Sequence, residues 1–250
     1  MKGNVKFCDI GSAHVVFTSR HGGCSAQPYD SLNFANHVVD DAGNVLRNRD
    51  LLHKTIEQQE PIAPHSSWLF LDQTHENNIV FVDGSTAIDN FYPPTADASI
   101  TQIPGQPLVV MTADCGPLVI AGQSIVGVVH ASWRTVAEGI IDSVIEEMNY
   151  RAPGEHFHAL LGPCIYPLNY EFESSQLNEL ADHLGEHVIS QTNQGQPAFN
   201  LPAAIEHECT IRNVTFNELG IDTFSSPDHF SYRRDGVTGR LAVVAWLSAE

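Results

Sequence analysis

The sequence has little positive charge and no long apolar run. Twelve lysines and arginines face 30 aspartates and glutamates, giving a formal net charge of −18. That balance repels nucleic-acid backbones and anionic membrane surfaces, so no nucleic-acid partner is expected. No stretch reaches the ~18 consecutive apolar residues of a transmembrane helix, so no membrane partner is expected either. The start, "MKGNVKFCDI", has no extended apolar core of the kind a secretory signal carries, and a cytoplasmic protein is expected. A disulfide framework is also missing. Cys8, Cys24, Cys115, Cys164 and Cys209 are odd in number and irregular in spacing, which points to free thiols or a metal ligand. There is no internal repeat and no low-complexity segment.

What is present suits a globular core. The 250 residues are 42% hydrophobic and 17% charged, enough for one large domain, and no clean linker divides them. Strand-like runs occur at 13–20, 66–75, 78–83, 96–101, 107–113, 117–122, 124–131, 156–163 and 240–247. The runs 66–75 and 78–83 read as paired strands around a turn at Glu76-Asn77. Helical spacing marks 42–59, 133–150 and 174–188, and Pro202 to Glu208 starts another helix. Thr135 and Glu138 are expected to form a capping box for the helix over 133–150. A loop rich in Gly, Ser, Asn and Asp spans 21–41, and long loops in compact domains often carry function. The expected fold class is α/β with α+β-like layering: a single domain over residues 1–250, a mixed β-sheet core, and helices flanking it.

Polar residues interrupt this apolar framework at strand ends. Cys115 in "LVVMTADCGPLVI" and His130 in "VVHASWR" end neighbouring apolar runs, and His75 in "LDQTH" ends another. Cys, His and His are suitable zinc ligands, and three protein ligands leave one position open, as catalytic zinc sites do. The alternative is a set of ordinary turn residues and a buried thiol. Asp114 can orient a ligand, act as acid or base, or cap the turn at Gly116-Pro117. Arg134 falls at a helix start, where an anion is favoured. Nine of the twelve basic residues are arginines, and Arg20, Arg134, Arg233 and Arg234 lie in motif-like stretches. Guanidinium groups in an acidic protein suit a specific phosphate or carboxylate site, or else surface ion pairs.

Seven stretches, in order, carry a resemblance: "SRHGGCS" through "YDSLNFANHVVDD", "QTH", "ADASIT", "TADCGPLVI", "VVHASWR", "LGPCIYPLNYEF" and "FSYRRDGVTGR". Over roughly residues 15–248 the chain resembles the YfiH-type laccase-domain family, whose members are described as polyphenol oxidases, purine nucleoside phosphorylases and peptidoglycan-editing factors. The resemblance implies one domain of the YfiH-like, cytotoxic-necrotizing-factor-like fold. It implies a zinc site on His75, Cys115 and His130, with copper as the other metal. It also implies phosphorolysis of adenosine, inosine, guanosine and methylthioadenosine, together with adenosine deamination. Cys115, Asp114 and Arg134 become the expected catalytic residues. Arg20, Arg134, Arg233 and Arg234 become the expected phosphate ligands. The partners are then small purine nucleosides and phosphate, for a monomer or homodimer.

Three other functions stay open at this level. A copper polyphenol oxidase would need ordered histidine pairs, and the chain offers His156 with His158 and His183 with His187. A peptidoglycan-editing amide hydrolase could use the same metal site. The last is a metal-binding partner protein with no catalysis. Three departures from the family pattern bear on substrate range. Ser132 and Thr135 replace glycines in "HASWRT", Asn200 replaces an aspartate, and Asp222-Thr223 stands where a cysteine-threonine pair is expected.

Overall fold

Strand runs that are apolar without interruption need cover on both faces, and a stack of two sheets supplies it. The computed structural model describes residues 4–248. In chain order the first half runs β1 Val5–Ile10, β2 Ala13–Thr18, α1 Ala42–Glu57, β3 Ile79–Val82, β4 Ala98–Thr101, β5 Leu108–Thr112, β6 Gly116–Ala121, β7 Val126–Ala131 and α2 Trp133–Ala137. The second half runs α3 Ile140–Arg151, β8 His158–Leu161, α4 Ser174–Leu184, β9 Ile189–Gln191, β10 Pro197–Phe199, α5 Leu201–Thr210, β11 Thr215–Glu218, α6 Tyr232–Asp235 and β12 Leu241–Leu247. Four strands form one sheet in the order β1-β2-β12-β5, and six form another in the order β11-β8-β6-β7-β4-β3. The first is antiparallel and the second mixed, with β3–β4 and β8–β11 parallel. β9 and β10 make a separate hairpin.

Alternating side chains fill three layers of core. Val15, Phe17, Leu108, Val110 and Val243 meet Val119, Ala121, Val126 and Val128 between the two sheets. Leu118, Ile120 and Val129 point the other way, onto Ile141, Val144, Ile145 and Met148 of α3 and Ile205 of α5. Val16, Val109, Met111, Val244 and Trp246 pack beneath Leu52 and Ile56 of α1, together with Phe34 and Trp68. Burying a Leu or Ile side chain contributes about 1.5–3 kcal/mol, so these interleaved rows fix the register of both sheets.

The mixed α/β layering is therefore as expected, but the core is two stacked sheets rather than one. Other expectations need correcting. The helix over 133–150 is two helices, because Gly139 adopts φ 80 and interrupts it. Its cap is Ser132, whose Oγ accepts the Thr135 N–H while Thr135 Oγ1 accepts the Ser132 N–H. Thr135 and Glu138 form no such pair. Gly185, at φ 104, ends α4 before residue 188. Residues 66–75 form a short 3-10 turn and isolated bridges from Leu69 to Leu108 and Asp72 to Thr95. Residues 79–82 pair with β4 instead. Among the described residues, no helix is long and apolar enough to cross a membrane.

Candidate metal centre

Strand register assembles the centre. Gly116 pairs with Ala131, so Cys115 and His130 come together at one end of the six-stranded sheet. His75 arrives on the irregular segment 66–75, which Gln73 ties to β5: its side chain accepts the Met111 N–H and donates to the Met111 carbonyl, both at 2.8 Å. The ligand atoms of His75, Cys115 and His130 all lie within 4.8 Å of one another, the only such group of three among the described residues. The two imidazoles meet edge to face with centroids 4.7 Å apart. His130 is buried, whereas Cys115 keeps contact with solvent. His75 sits at φ 63 and Asp114 at φ 95, both in the left-handed region that L residues seldom adopt. Such backbone strain persists where surrounding contacts enforce it, commonly at functional sites.

Those contacts are visible. Asp97 is wholly buried, accepts from His130 Nδ1 at 2.6 Å, and takes the Thr74 and Glu76 N–H groups at 3.1 and 2.9 Å. Burial pushes its carboxyl up, but the hydrogen bonds from His130 and Glu76 outweigh this and hold it below its usual range. Burial likewise opposes charge on Cys115 and His130, yet each stabilises the other. The thiol falls to about 6 under the influence of His130 and His75, and the imidazole rises to about 9 beside Cys115 and Asp97. A thiolate among two imidazoles is a borderline-soft donor set that fits zinc or copper.

Asp114 is 7% exposed, and its carboxylate serves the scaffold. One oxygen accepts from Thr223 Oγ1 at 2.7 Å and the other from the Arg233 N–H at 2.6 Å. This secures α6 and the 223 loop against the strand end that carries Cys115. The substituted positions do related work. Thr135 Oγ1 also donates to the His130 carbonyl at 2.9 Å, so the hydroxyls at 132 and 135 lock the turn that follows the ligand. Asn200 caps α5 by accepting the Ala203 N–H.

The four arginines separate into two kinds. Arg234 donates to the carbonyls of Thr223, Phe224, Ser226 and His229 and pairs with Asp235. Arg20 holds the Asp30 carbonyl at 2.9 Å and lies over Phe230. Both direct donors to protein acceptors. Arg134 is exposed and stacks on Trp133 at 4.9 Å. Arg233 is exposed over Tyr170, also at 4.9 Å. Edge-to-face contacts from Trp133 to Phe172 and from Phe172 to Tyr170 join these two into one cationic-aromatic wall. The wall adjoins the centre, since Trp133 follows His130 by three residues and the Cys115 charge adds to the burial that raises the Tyr170 phenol.

Sequence reasoning missed Asp97 and Arg240. Both lie inside quoted stretches, "ADASIT" and "FSYRRDGVTGR", but neither breaks an apolar run as Cys115 does. Leu241 pairs with Thr112, so Arg240 lies beside Ala113 at the strand end that leads into Asp114 and Cys115. Burial lowers its guanidinium pKa, and the Cys115 and Asp114 charges pull it back.

Comparison with known proteins agrees with this architecture. The multi-copper polyphenol oxidoreductase laccase family matches residues 14–248. A Streptomyces griseus protein named purine nucleoside phosphorylase is 34% identical over 243 residues, covering 95% of each chain. A Haemophilus influenzae protein of the same name is 33% identical and covers 94% of each. Among crystal structures, a Neisseria meningitidis protein superposes with a TM-score of 0.84 at 27% identity, covering 98% of this chain and 100% of its own. The YfiH protein of Bacillus licheniformis gives 0.82 at 25% identity, covering 94% and 93%. The chain belongs to the laccase-domain family.

Proposed function

We propose that this protein is a zinc-dependent purine nucleoside phosphorylase that also accepts methylthioadenosine and deaminates adenosine. The observation that carries this reading is the His75, Cys115 and His130 cluster beside a wall of arginine and aromatic side chains. The names of the relatives supply the substrate class. A zinc ion held by three protein ligands keeps one position open and supplies Lewis acidity there.

The chain's own residues do the rest. Arg134 lies over Trp133, Arg233 lies over Tyr170 and donates one Nη1 bond to the Glu171 carbonyl, and Arg240, just before β12, donates Nη1 to the Thr238 and Gly239 carbonyls, so each keeps further guanidinium N–H groups for a ligand. Together they are suited to hold a phosphate, because guanidinium forks match its oxygens and their charge offsets the strong acidity of the chain. In phosphorolysis a phosphate oxygen bonds C1′ while the C1′–N9 bond breaks, its electron pair leaving with the purine, which takes up a proton. Trp133, half-buried, carries Arg134 over its ring and meets Phe172 edge to face, so it holds that guanidinium within the wall. In deamination water replaces the C6 amino group and ammonia leaves. Asp114 has both oxygens engaged, so its part is to hold α6 and the strand end in place.

The test is chromatographic. Inosine with phosphate should yield hypoxanthine and ribose 1-phosphate in equal amounts, and adenosine without phosphate should yield inosine. Base release that is independent of phosphate, or no turnover of any purine nucleoside, contradicts the reading. Elemental analysis of protein purified without added metal distinguishes zinc from copper, which such a site would bind more tightly on intrinsic affinity.

A further inference from the structure

We infer that Asp97 is a positioning residue that sets both histidine arms of the metal centre at once, fixing which nitrogen of His130 faces the metal and holding the backbone of His75 in its left-handed conformation. The inference rests on reading the cluster as a metal centre and goes on to say what makes it one.

The two carboxylate oxygens have separate tasks. Oδ1 meets His130 Nδ1 at 2.6 Å. A carboxylate only accepts, so Nδ1 must carry the proton and Nε2 is the nitrogen left to ligate. Oδ2 takes the Thr74 N–H at 3.1 Å and the Glu76 N–H at 2.9 Å. These two amides flank His75, whose φ of 63 directs its imidazole to the same point. Asp97 itself cannot swing away. It is wholly buried at the start of β4, and its carbonyl accepts the His130 N–H at 2.7 Å. One rigid carboxylate therefore couples an arm from β7 to an arm from an irregular segment that has no strand of its own.

Asp97→Asn separates this role from a merely structural one. The two backbone N–H groups need an acceptor, so the amide oxygen stays with Thr74 and Glu76 and the NH2 turns to His130. In the neutral ring that binds metal, Nδ1 must then accept and the one proton sits on Nε2, where it blocks the metal. The shape of the residue is nearly unchanged. Zinc affinity, measured by chelator competition, should fall about 10–100-fold, the usual effect of losing such a partner. The Tm of the metal-free protein should move by no more than about 3 °C, which for a chain of this size is about 1 kcal/mol. Zinc binding within threefold of the unsubstituted protein overturns the inference. So does a loss of zinc that only tracks a fall in metal-free Tm.

If the variant does not fold, the unsubstituted protein loaded with 113Cd decides the matter. Imidazole 15N spectra should show the cadmium coupling on Nε2 of His130 and the proton on Nδ1, and the reverse assignment overturns the inference. Failure of the unsubstituted protein to bind zinc or cadmium overturns both this inference and the metal reading beneath it, whereas an unaffected Asp97→Asn variant overturns this inference alone.

Discussion

The two ends of the six-stranded sheet both carry paired histidines, yet only one end is built as a site. At one end Cys115 and His130 leave β6 and β7, with His75 beside them. At the other, His158 pairs with Ala121, and its ring lies 5.0 Å from that of His156. The six residues of β6 separate the ends, five steps from first to last and roughly 17 Å at about 3.4 Å per residue. The nearby carboxylate differs as much as the ligands do. Asp97 is wholly buried and bonded to a ligand, whereas Glu155 spends its oxygens on the Gln123 and Ser124 amides and hydroxyl. His156 turns to Thr215 at 2.8 Å. Histidine proximity alone therefore does not make a centre. What distinguishes the end with the candidate centre is a thiol, a buried carboxylate bonded to one of its histidines, and backbone held at unusual dihedrals.

Removing the thiolate should erase the contrast. Cys115→Ala is expected to weaken zinc binding by more than about 100-fold and to abolish nucleoside turnover, since two histidines alone make a poor site. Elemental analysis and product chromatography check both outcomes. Retained turnover would move the chemistry away from this end.

The pH dependence of metal binding sharpens the comparison next. In the metal-free protein the Cys115 thiol loses its proton near 6, and the His130 imidazolium keeps its own until about 9. Zinc must displace that His130 proton. Affinity should then rise with pH by about tenfold per unit between the two values, and more steeply below the lower one, where the thiol must also ionise. Calorimetry in buffers of different ionisation enthalpy counts the protons released. An affinity that is flat from pH 6 to 9 would contradict the thiolate–imidazolium pairing.

The arginines supply a contrast of a second kind. Arg134→Ala should raise the KM for phosphate by about tenfold or more while leaving the unfolding midpoint in place, because among the described residues its one partner is Trp133. Arg234→Ala should instead cost about 2–4 kcal/mol in urea unfolding, because four carbonyls lose a charged donor. The reverse pattern would return Arg234 to the phosphate site. The smallest effect belongs to the far end of the sheet. Joint replacement of His156 and His158 by alanine should leave metal content and turnover within about twofold, as is usual for surface positions away from a site.

Much of this was legible in the sequence. The three candidate ligands interrupt or terminate apolar runs, and polar residues at strand ends are conspicuous against a pattern of burial. The strand runs themselves followed from their continuous apolar character. The segment before His75 misled because its apolar residues fill the core without a regular ladder, and Gln73 substitutes a side chain for the missing backbone partner. The break at Gly139 is hidden because α2 and α3 bury apolar residues at compatible spacing on both sides of it. The place of Asp97 and the protein acceptors of Arg20 and Arg234 were not legible, for one reason. Charge type can be read from a sequence, but the direction in which a side chain spends its hydrogen bonds depends on distant residues that the fold brings into reach.

The most direct test is a crystal structure of protein incubated with zinc, with anomalous data collected on both sides of the zinc absorption edge. The account predicts one strong anomalous peak, bounded by His75, Cys115 and Nε2 of His130, and none between His156 and His158. A peak at the far end of the sheet, or an empty triad in crystals grown with excess zinc, would contradict it.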